Sequence, residues 1–317
     1  MTVAVTGNGS IDVSEEVGAA LAGGRPVVAL ESSIVAQGFP KPQNREVGRG
    51  MLTAVRDGGA VPAMTAVIDG RIKLGLDDAG LDRLAFEDSM KCSARDLGMA
   101  MASGATGATT VAATLRIAAA AGIRVFATGG IGGVHPGAGT PDISADLPEL
   151  GRCPVAVVCS GAKAVLDLPR TLELLETLGV PVVGYRTGEL PAFYSRRSGL
   201  ALDHRVDDPA AVAEVLRAHC QVEPGGVVVA VPPPADAELD AAWIEPLIAD
   251  AVEEARAAGV GGAEETPFLL ARLAEATGGR TVAANLSLLE HNAGIAGRIA
   301  AELARTVDPQ GRELPAP

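Results

Sequence analysis

The sequence is poor in aromatic residues and in positive charge. Its 317 residues include five Phe, two Tyr and one Trp, whereas 48% of the chain is hydrophobic. We therefore expect a core built mainly from Ala, Val, Leu and Ile. The formal net charge of −13 argues against non-specific binding to nucleic acid or to an anionic membrane surface. An anionic small molecule is a compatible substrate only if a local cluster of donors meets its charge.

Export and membrane signals are also lacking. The start, "MTVAVTGNGSIDVSEEV", has neither a basic region nor a continuous apolar stretch, so we expect no signal peptide. No uncharged apolar run approaches the ~20 residues of a transmembrane helix. In a chain of this length without an export signal we expect reduced thiols, and the absence of a CxxC pair argues against a zinc site; the cysteines are Cys92, Cys153, Cys159 and Cys220. We expect a cytoplasmic protein with no nucleic-acid or membrane partner.

Continuous apolar segments alternate with helical ones along the chain. "PVVALESS" (26–33), "RVFATGG" (124–130) and "PVAVVCS" (154–160) are typical of buried strands, and Asp69-Gly70 predicts a hairpin turn. The alternation predicts an α/β fold, with a mainly parallel or mixed central sheet and helices on both faces (three-layer α/β/α). Residues 1–25 are rich in Gly and Ala and are interpreted as an entry segment, and 188–208 is less regular. No low-complexity linker interrupts 26–305, so we predict a single domain over 1–317.

Ligands of such sheets bind beyond the carboxyl ends of the strands. The predicted strands end in polar or glycine-rich segments, namely 31–33, 127–130, 159–163, 185–189 and 231–234. This placement predicts that Glu31 and Lys163 lie at adjacent strand ends and share one site.

Lys163 follows a long apolar run in "VAVVCSGAKAVLDL". A lysine in apolar surroundings loses hydration, which favours the neutral and nucleophilic amine. The alternative is that the strand ends at Ser160 and that Lys163 extends into solvent. Glu31 has the same two interpretations. It is either a general acid kept protonated by apolar neighbours such as Leu30 or a carboxylate in water.

The segment 125–147 is rich in both glycine and polar residues. The glycines of "GGIGG" leave backbone N–H groups open to a ligand, and His135, Asp142, Ser144 and Asp146 follow. The spacing is not that of a dinucleotide fingerprint or a Walker A loop. Carboxylate and hydroxyl oxygens suit a hard divalent ion, and a helix N-terminus suits phosphate. The alternative is an ordinary turn in which Ser144 caps a helix.

A second glycine- and threonine-rich loop precedes a helix at 104–111. Lys91 comes shortly before it, and a lysine beside such a loop is a reasonable phosphate ligand. The alternative is a solvated surface charge.

Several longer motifs together resemble one family. They include "VALESSIVAQGFPKPQN", "KCSARDL", "GATTVAATLRIAAAAGIRVFATGGIGGVH", "DISADLPEL", "VVCSGAKAVLDLPRTLELLETLGVPVVGY", "PAFYSRRSG" and "TPFLLARLAEATGG…NLSLLEHNA". In order and spacing they are similar to the pseudouridine-5'-phosphate glycosidase family, also called the indigoidine synthase A family, from about residue 26 to residue 305.

The resemblance implies an activity and roles for named residues. The family cleaves pseudouridine 5'-phosphate reversibly into uracil and ribose 5-phosphate, uses a divalent metal, typically Mn²⁺, and forms homotrimers. Lys163 then matches the lysine that bonds covalently to ribose C1', Glu31 the proton donor and Asp142 the metal ligand. The implied substrate-binding residues are Lys91, Val111, Ser144, Ala145, Asp146, His135 and Asn285.

The chain departs from the family pattern in two places. The loop between His135 and Asp142 is short and lacks a basic residue, and Gly262-Ala263 replaces a Gly-Lys pair. Two other functions stay compatible with the residues themselves. One is a Schiff-base aldolase acting on a sugar phosphate, and the other is a nucleotide-binding module without catalysis.

Overall fold

The computed structural model describes residues 2–4, 10–137, 142–222, 224–262 and 265–305. Within these ranges twelve strands form the sheet: β1 (Thr2–Ala4), β2 (Ser10–Val13), β3 (Val27–Leu30), β4 (Val61–Ile68), β5 (Arg71–Leu74), β6 (Met90–Cys92), β7 (Gly107–Thr109), β8 (Val125–Ala127), β9 (Ala156–Cys159), β10 (Val182–Tyr185), β11 (His204–Val206) and β12 (Val227–Ala230).

The described ranges also contain twelve α-helices and one 3₁₀ turn at Ala94–Asp96. The helices are α1 (Glu15–Ala22), α2 (Ser33–Gln37), α3 (Gln43–Asp57), α4 (Asp78–Phe86), α5 (Leu97–Ser103), α6 (Val111–Ala120), α7 (Asp146–Leu150), α8 (Leu168–Thr177), α9 (Pro209–Val222), α10 (Ala241–Ala257), α11 (Glu265–Ala276) and α12 (Arg280–Ala304). None of them combines the length and apolar content that crossing a bilayer requires.

The sheet is mixed, with a parallel centre. Its order is β1-β2-β5-β4-β3-β8-β9-β12-β10-β11, and β7 pairs with β4 and β6. All neighbours from β4 through β3 to β11 are parallel, whereas β5 and β7 run antiparallel to β4. The central strands β3, β9 and β12 are buried along their whole length, as expected for a sheet covered on both faces.

The predicted hairpin is confirmed between β4 and β5. Asp69 and Gly70 both have positive φ, 50° and 71°, and β4 pairs with β5 in register from Thr65↔Leu74 to Ile68↔Arg71. Two consecutive left-handed residues match the twist of the strands in a two-residue turn, and an Asp-Gly pair adopts them readily.

Helix α12 is central to the helical layers. It packs on β3, β8 and β9 and runs beside α3 and α9, while α1 and α6 also contact β3. Its buried apolar residues recur every three to four positions, as in Leu289, Ala293, Ala296 and Ile299. One hydrophobic core extends from Ile11 to Ala300. The three-layer α/β/α architecture predicted from the sequence is confirmed.

Three segments for which the sequence predicted no strand contain one. Residues 1–25 include β2 and α1, and 188–208 include β11, which pairs in parallel with β10. The glycine- and threonine-rich loop before α6 contains β7. These strands have only three or four residues, too few to show a period of two, so the sequence pattern could not distinguish them from loops.

Candidate active site

A cavity lies at the carboxyl ends of β3, β8 and β9. Four of the predicted site residues line it, namely Glu31, Lys91, Lys163 and Asn285. Thr128 to Gly130, in the predicted strand end after β8, also line it. Its other walls come from segments to which the sequence analysis gave no role: helix α2 with Gln37, the pair Phe193-Tyr194, and the start of α11 around Pro267 and Leu270.

Glu31 directly follows β3 and is only 4% exposed. Its two carboxylate oxygens accept hydrogen bonds from the hydroxyls of Ser33 and Thr128. A hydroxyl can donate or accept, so the same two partners can satisfy Glu31 before and after it gives up a proton. The buried carboxyl group is therefore held in one orientation at the cavity wall.

Lys163 lies in the turn after β9. Its backbone N–H donates to Ile131 O at 3.0 Å, and Ala162 pairs with Ile131 in a parallel bridge, so this turn runs beside the loop that follows β8. The side chain is half-buried and lines the cavity. Among the described residues no carboxylate lies within ion-pair distance of its Nζ. The position differs from the solvent-exposed alternative considered above.

The expectation that Glu31 and Lys163 lie at adjacent strand ends is wrong in one detail. Strand β8 lies between β3 and β9 in the sheet. Thr128, the residue after β8, fills the intervening position and donates its hydroxyl hydrogen bond to Glu31. The sequence did not reveal this order because strand order depends on long-range pairing.

Asn292 of α12 joins the ends of β8 and β9. It is fully buried, and its Nδ2 donates to Thr128 O at 2.9 Å and to Ser160 Oγ at 3.1 Å. Asn285 lies seven residues earlier, two turns away on the same face of the helix. The helix therefore presents one amide to the strand ends and one to the cavity.

Cys159, the last residue of β9, is not a candidate nucleophile. It is fully buried, and this burial raises the pKa of its thiol to about 12. A thiol in such surroundings stays protonated and unreactive.

Only part of the GGIGG loop is open to a ligand, which corrects the sequence-based expectation. Gly129 and Gly130 line the cavity, whereas Gly132 is engaged by protein contacts. The N–H of Gly132 donates to Asp146 Oδ2 at 2.7 Å. A Cβ at Gly130 would lie 2.7 Å from the Phe193 ring, and one at Gly132 would lie 2.1 Å from Ser144 Oγ. These glycines permit close packing of neighbouring segments.

Asp146 is 5% exposed and bridges two elements. Its Oδ1 accepts from the N–H of Ala112 at 2.9 Å, in the first turn of α6, while Oδ2 binds Gly132. Ser144 Oγ in turn accepts from the N–H of Asp146 at 3.2 Å. Both carboxylate oxygens are thus engaged with backbone donors. Neither Ser144, Ala145, Asp146 nor the buried Val111 lines the main cavity.

Lys91 lies on β6, whose partner β7 leads into α6. The register pairs Lys91 with Ala108, so the lysine lies close to the N-terminus of α6. Thr110, immediately before that helix, has a buried hydroxyl oxygen with no hydrogen-bond partner among the described residues. A lysine on the neighbouring strand, the Thr110 hydroxyl and a helix N-terminus are groups that can bind phosphate, although Asp146 already accepts from one N–H of that terminus.

His135, Asp142 and Glu265 form a second cluster. One ligand atom from each lies within 4.8 Å of the other two. His135 Nδ1 is 3.1 Å from Glu265 Oε2, but the geometry is not that of a hydrogen bond, and the buried nitrogen has no other partner in the described chain. One imidazole nitrogen and two carboxylates suit a divalent cation. Glu265 was missed because it lies 123 residues beyond Asp142 in the sequence. Residues 138–141 and Ala263, where the chain departs from the family pattern, lie outside the described residues.

A family of known proteins matches most of the chain. The model described as "Indigoidine synthase A like protein" matches residues 16–302. The pseudouridine-5'-phosphate glycosidase of Herpetosiphon aurantiacus is 53% identical over 298 residues, covering 93% of this chain and 98% of the relative. The enzyme of the same name from Myxococcus xanthus is 53% identical over 296 residues, covering 92% of this chain and 98% of the relative.

Two solved structures have a similar fold. The prealnumycin C-glycosynthase AlnA, crystallised with ribulose 5-phosphate, superposes with a TM-score of 0.84 at 41% identity, covering 93% of this chain and 97% of that chain. An indigoidine synthase A-like protein from Thermotoga maritima gives the same TM-score at 36% identity, with the same coverage of both chains.

Proposed function

Because the chain belongs to the indigoidine synthase A-like family, we propose that it is a C-glycosidase that cleaves pseudouridine 5'-phosphate reversibly into uracil and ribose 5-phosphate. Relatives that share about half of its residues over nearly their whole length are named for this activity. The structural observation that supports it most strongly is that Glu31 and Lys163 line the same cavity.

The bond to be broken joins two carbons, ribose C1' and uracil C5. A heteroatom leaving group can be protonated directly by a carboxylic acid, but this carbon has no lone pair to accept a proton. The sugar must therefore provide an electron sink. An amine that adds to C1' provides one, because its lone pair can form a C=N bond as the carbon–carbon bond breaks.

We propose the following sequence of steps. Glu31 protonates the ribose ring oxygen, and the C1'–O bond breaks. The uncharged amine of Lys163 adds to C1' and releases a proton. Uracil C5 then accepts a proton, the C1'–C5 bond breaks, and its electron pair restores the neutral uracil ring while the Lys163 nitrogen forms an iminium with C1'. Water hydrolyses the iminium to ribose 5-phosphate and the free lysine.

The surroundings of the two residues support this chemistry. Lys163 lies in a turn after an apolar strand, and no described carboxylate forms an ion pair with it. Glu31 is buried beside two hydroxyl groups that fit both of its protonation states. An acid and a nucleophile at the ends of two strands of one sheet are positioned by rigid elements.

We propose that the phosphate is bound where Lys91, Thr110 and the N-terminus of α6 converge. Asp146 connects this helix to the loop after β8, and Ser144 supports Asp146. On this interpretation the side chains of Ser144 and Asp146 position the helix and the loop. Val111 and Ala145 contribute through their backbone. Binding energy from the phosphate then orients the ribose against Lys163.

The cluster of His135, Asp142 and Glu265 fits a divalent cation such as Mn²⁺, and we propose that it binds one. The unpartnered nitrogen of His135 and the two carboxylates provide the ligands. When bound, the cation would supply positive charge that can stabilise an anionic group of the substrate. His135 therefore acts as a metal ligand in this proposal, rather than as the direct substrate contact that the resemblance implies.

Two expectations about the whole protein stay proposals. We propose a homotrimer, which the family resemblance implies, and a cytoplasmic location. Light scattering on the purified protein should give three times the chain mass. A mass of one or two chains would contradict the trimer.

The direct test of the function is release of uracil. The protein is incubated with Mn²⁺ and pseudouridine 5'-phosphate, and free uracil is measured by chromatography. Lys163→Ala and Glu31→Gln should lose turnover, whereas Lys73→Ala, on β5 and outside the cavity, should retain it. Tight binding without uracil release would favour the nucleotide-binding module. Cleavage of a deoxyribose phosphate without uracil release would favour the aldolase.

A further inference from the structure

Two carboxamide oxygens in the active-site cavity have no hydrogen-bond partner. They are Gln37 Oε1 and Asn285 Oδ1, both buried, and neither accepts a hydrogen bond from any described residue. Both side chains line the main cavity, and both also line an adjoining pocket that opens from it. Buried acceptors in folded proteins are nearly always paired, so two unpaired ones beside the same cavity indicate donors on a ligand.

The two amides offer different groups. Gln37 Nε2 donates to the backbone oxygen of Ser89 at 3.2 Å, which fixes the amide and leaves Oε1 as a lone acceptor. The nitrogen of Asn285 makes no hydrogen bond with a described residue, so Asn285 presents an acceptor and a donor side by side. A Cβ at Gly129 would lie 3.3 Å from Asn285 Oδ1, so the oxygen lies against the loop after β8.

The space beside these amides has apolar walls. Tyr194, Pro267 and Leu270 line both the main cavity and the adjoining pocket. The Tyr194 ring is buried and held edge-on by Phe193, with ring centroids 4.8 Å apart. Flat apolar surfaces with a few fixed polar groups at the rim are typical of a site for a planar heterocycle.

Pseudouridine differs from uridine at one donor when their ribose groups are superposed. The pseudouridine base presents N1–H between O2 and C6–H, and N3–H between its two carbonyls. Uridine presents C5–H at the position of N1–H, and it keeps N3–H between two carbonyls. A lone acceptor therefore fits N1–H, and an amide offering both an acceptor and a donor fits N3–H with a neighbouring carbonyl.

We propose that Gln37 Oε1 accepts from N1–H of the base while Asn285 binds N3–H and an adjacent carbonyl. Gln37 is then the residue that selects a C-linked uracil over an N-linked one. This assignment rests on the proposed function and adds to it a determinant of substrate choice. An N-linked uridine phosphate would leave the Gln37 oxygen unpaired, which is the kind of mismatch that gives strong discrimination.

The same contact assists the cleavage step. When uracil C5 accepts a proton, the ring gains a positive charge that N1 shares through C6. The N1–H group then becomes a stronger donor to Gln37 Oε1, so the hydrogen bond strengthens as the transition state forms. Loss of the acceptor should lower kcat as well as affinity.

The test compares two ligands on a chain that cannot turn over. Pseudouridine 5'-phosphate and uridine 5'-phosphate are titrated by calorimetry against Lys163→Ala, with and without Gln37→Met. We expect Gln37→Met to weaken the binding of pseudouridine 5'-phosphate about 10- to 100-fold, because one buried polar group of the complex is left unpaired. The affinity for uridine 5'-phosphate should change little. Gln43→Met, at an exposed position at the start of α3, is the matched control and should change neither.

The outcomes separate this assignment from the proposed function. An equal loss for both ligands, or an unchanged preference, would overturn the role of Gln37, since a merely structural residue would not distinguish the two bases. With Lys163 intact, Gln37→Met should also lower kcat for uracil release. Failure of the unmodified chain to release any uracil would instead contradict the proposed function itself.

Discussion

Replacement of Asp146 tests whether the acidic residues of "DISAD" have separate roles. Asp146 is buried and its two oxygens accept from the backbone N–H groups of Ala112 and Gly132, at 2.9 and 2.7 Å. Hydrogen bonds to a charged group contribute about 1.5–3 kcal/mol each, so Asp146→Ala should cost about 3–6 kcal/mol. For 317 residues the unfolding entropy is about 0.7 kcal/mol per degree, which predicts a fall in Tm of about 4–9 °C.

The assay is scanning calorimetry without added metal or substrate, and the chain contains its own control. Asp142→Ala makes the same chemical change four residues earlier, at an exposed side chain, and should shift Tm by less than about 1 °C, as is usual for surface substitutions. If Asp146→Ala has the same Tm as the unmodified chain, the structural role of Asp146 is refuted. Direct substrate binding by the carboxylate would then be the better account of Asp146.

Three further predictions concern other parts of the molecule. Asn292→Leu should lower Tm and slow uracil release, because Thr128 loses the buried amide that holds its carbonyl; an unchanged rate would separate Asn292 from the site. The Arg116 guanidinium holds the pKa of Glu149 below its ordinary value of 4.5, so this pair stabilises the fold above that pH and loses the effect as pH falls through the lowered pKa. The Tm difference between the unmodified chain and Arg116→Gln should therefore shrink on acidification below about pH 4.5, and a constant difference in calorimetry would contradict the linkage. Cys220 is exposed, whereas the other three cysteines are buried and should be protected. A thiol reagent should therefore label one cysteine rapidly in the native protein and none in Cys220→Ser; rapid labelling of Cys220→Ser would contradict this.

Much of the architecture could be predicted from the sequence because the central strands are buried along their whole length and therefore appear as continuous apolar runs. The run "PVVALESS" is apolar for five residues and then polar, which identifies both the strand and the end that faces the site. The three-residue strands β6, β7 and β11 offer no such pattern. They exist because neighbouring strands pair with them, and pairing partners are distant in sequence.

Only part of the site could be predicted from the sequence, because several roles depend on contacts between distant segments. Glu31 and Lys163 stand out chemically at strand ends, and the family resemblance named them. Gln37, Thr128 and Asn292 are ordinary amide and hydroxyl residues within the quoted motifs, and their roles depend on which buried atoms they meet. The hydrogen bonds of Asp146 to two backbone donors could not be predicted either, because a carboxylate beside a glycine-rich loop is also typical of a ligand site.

The central claim is that Lys163 forms the covalent bond to the sugar. The most direct measurement is to add borohydride together with ribose 5-phosphate and to locate the reduced adduct by peptide mass spectrometry. The chain has four lysines, Lys41, Lys73, Lys91 and Lys163, so the assignment is unambiguous. Lys91 lines the same cavity and serves as the internal control. We predict an adduct on Lys163 and none on Lys91; no adduct, or one on Lys91 alone, would contradict the account.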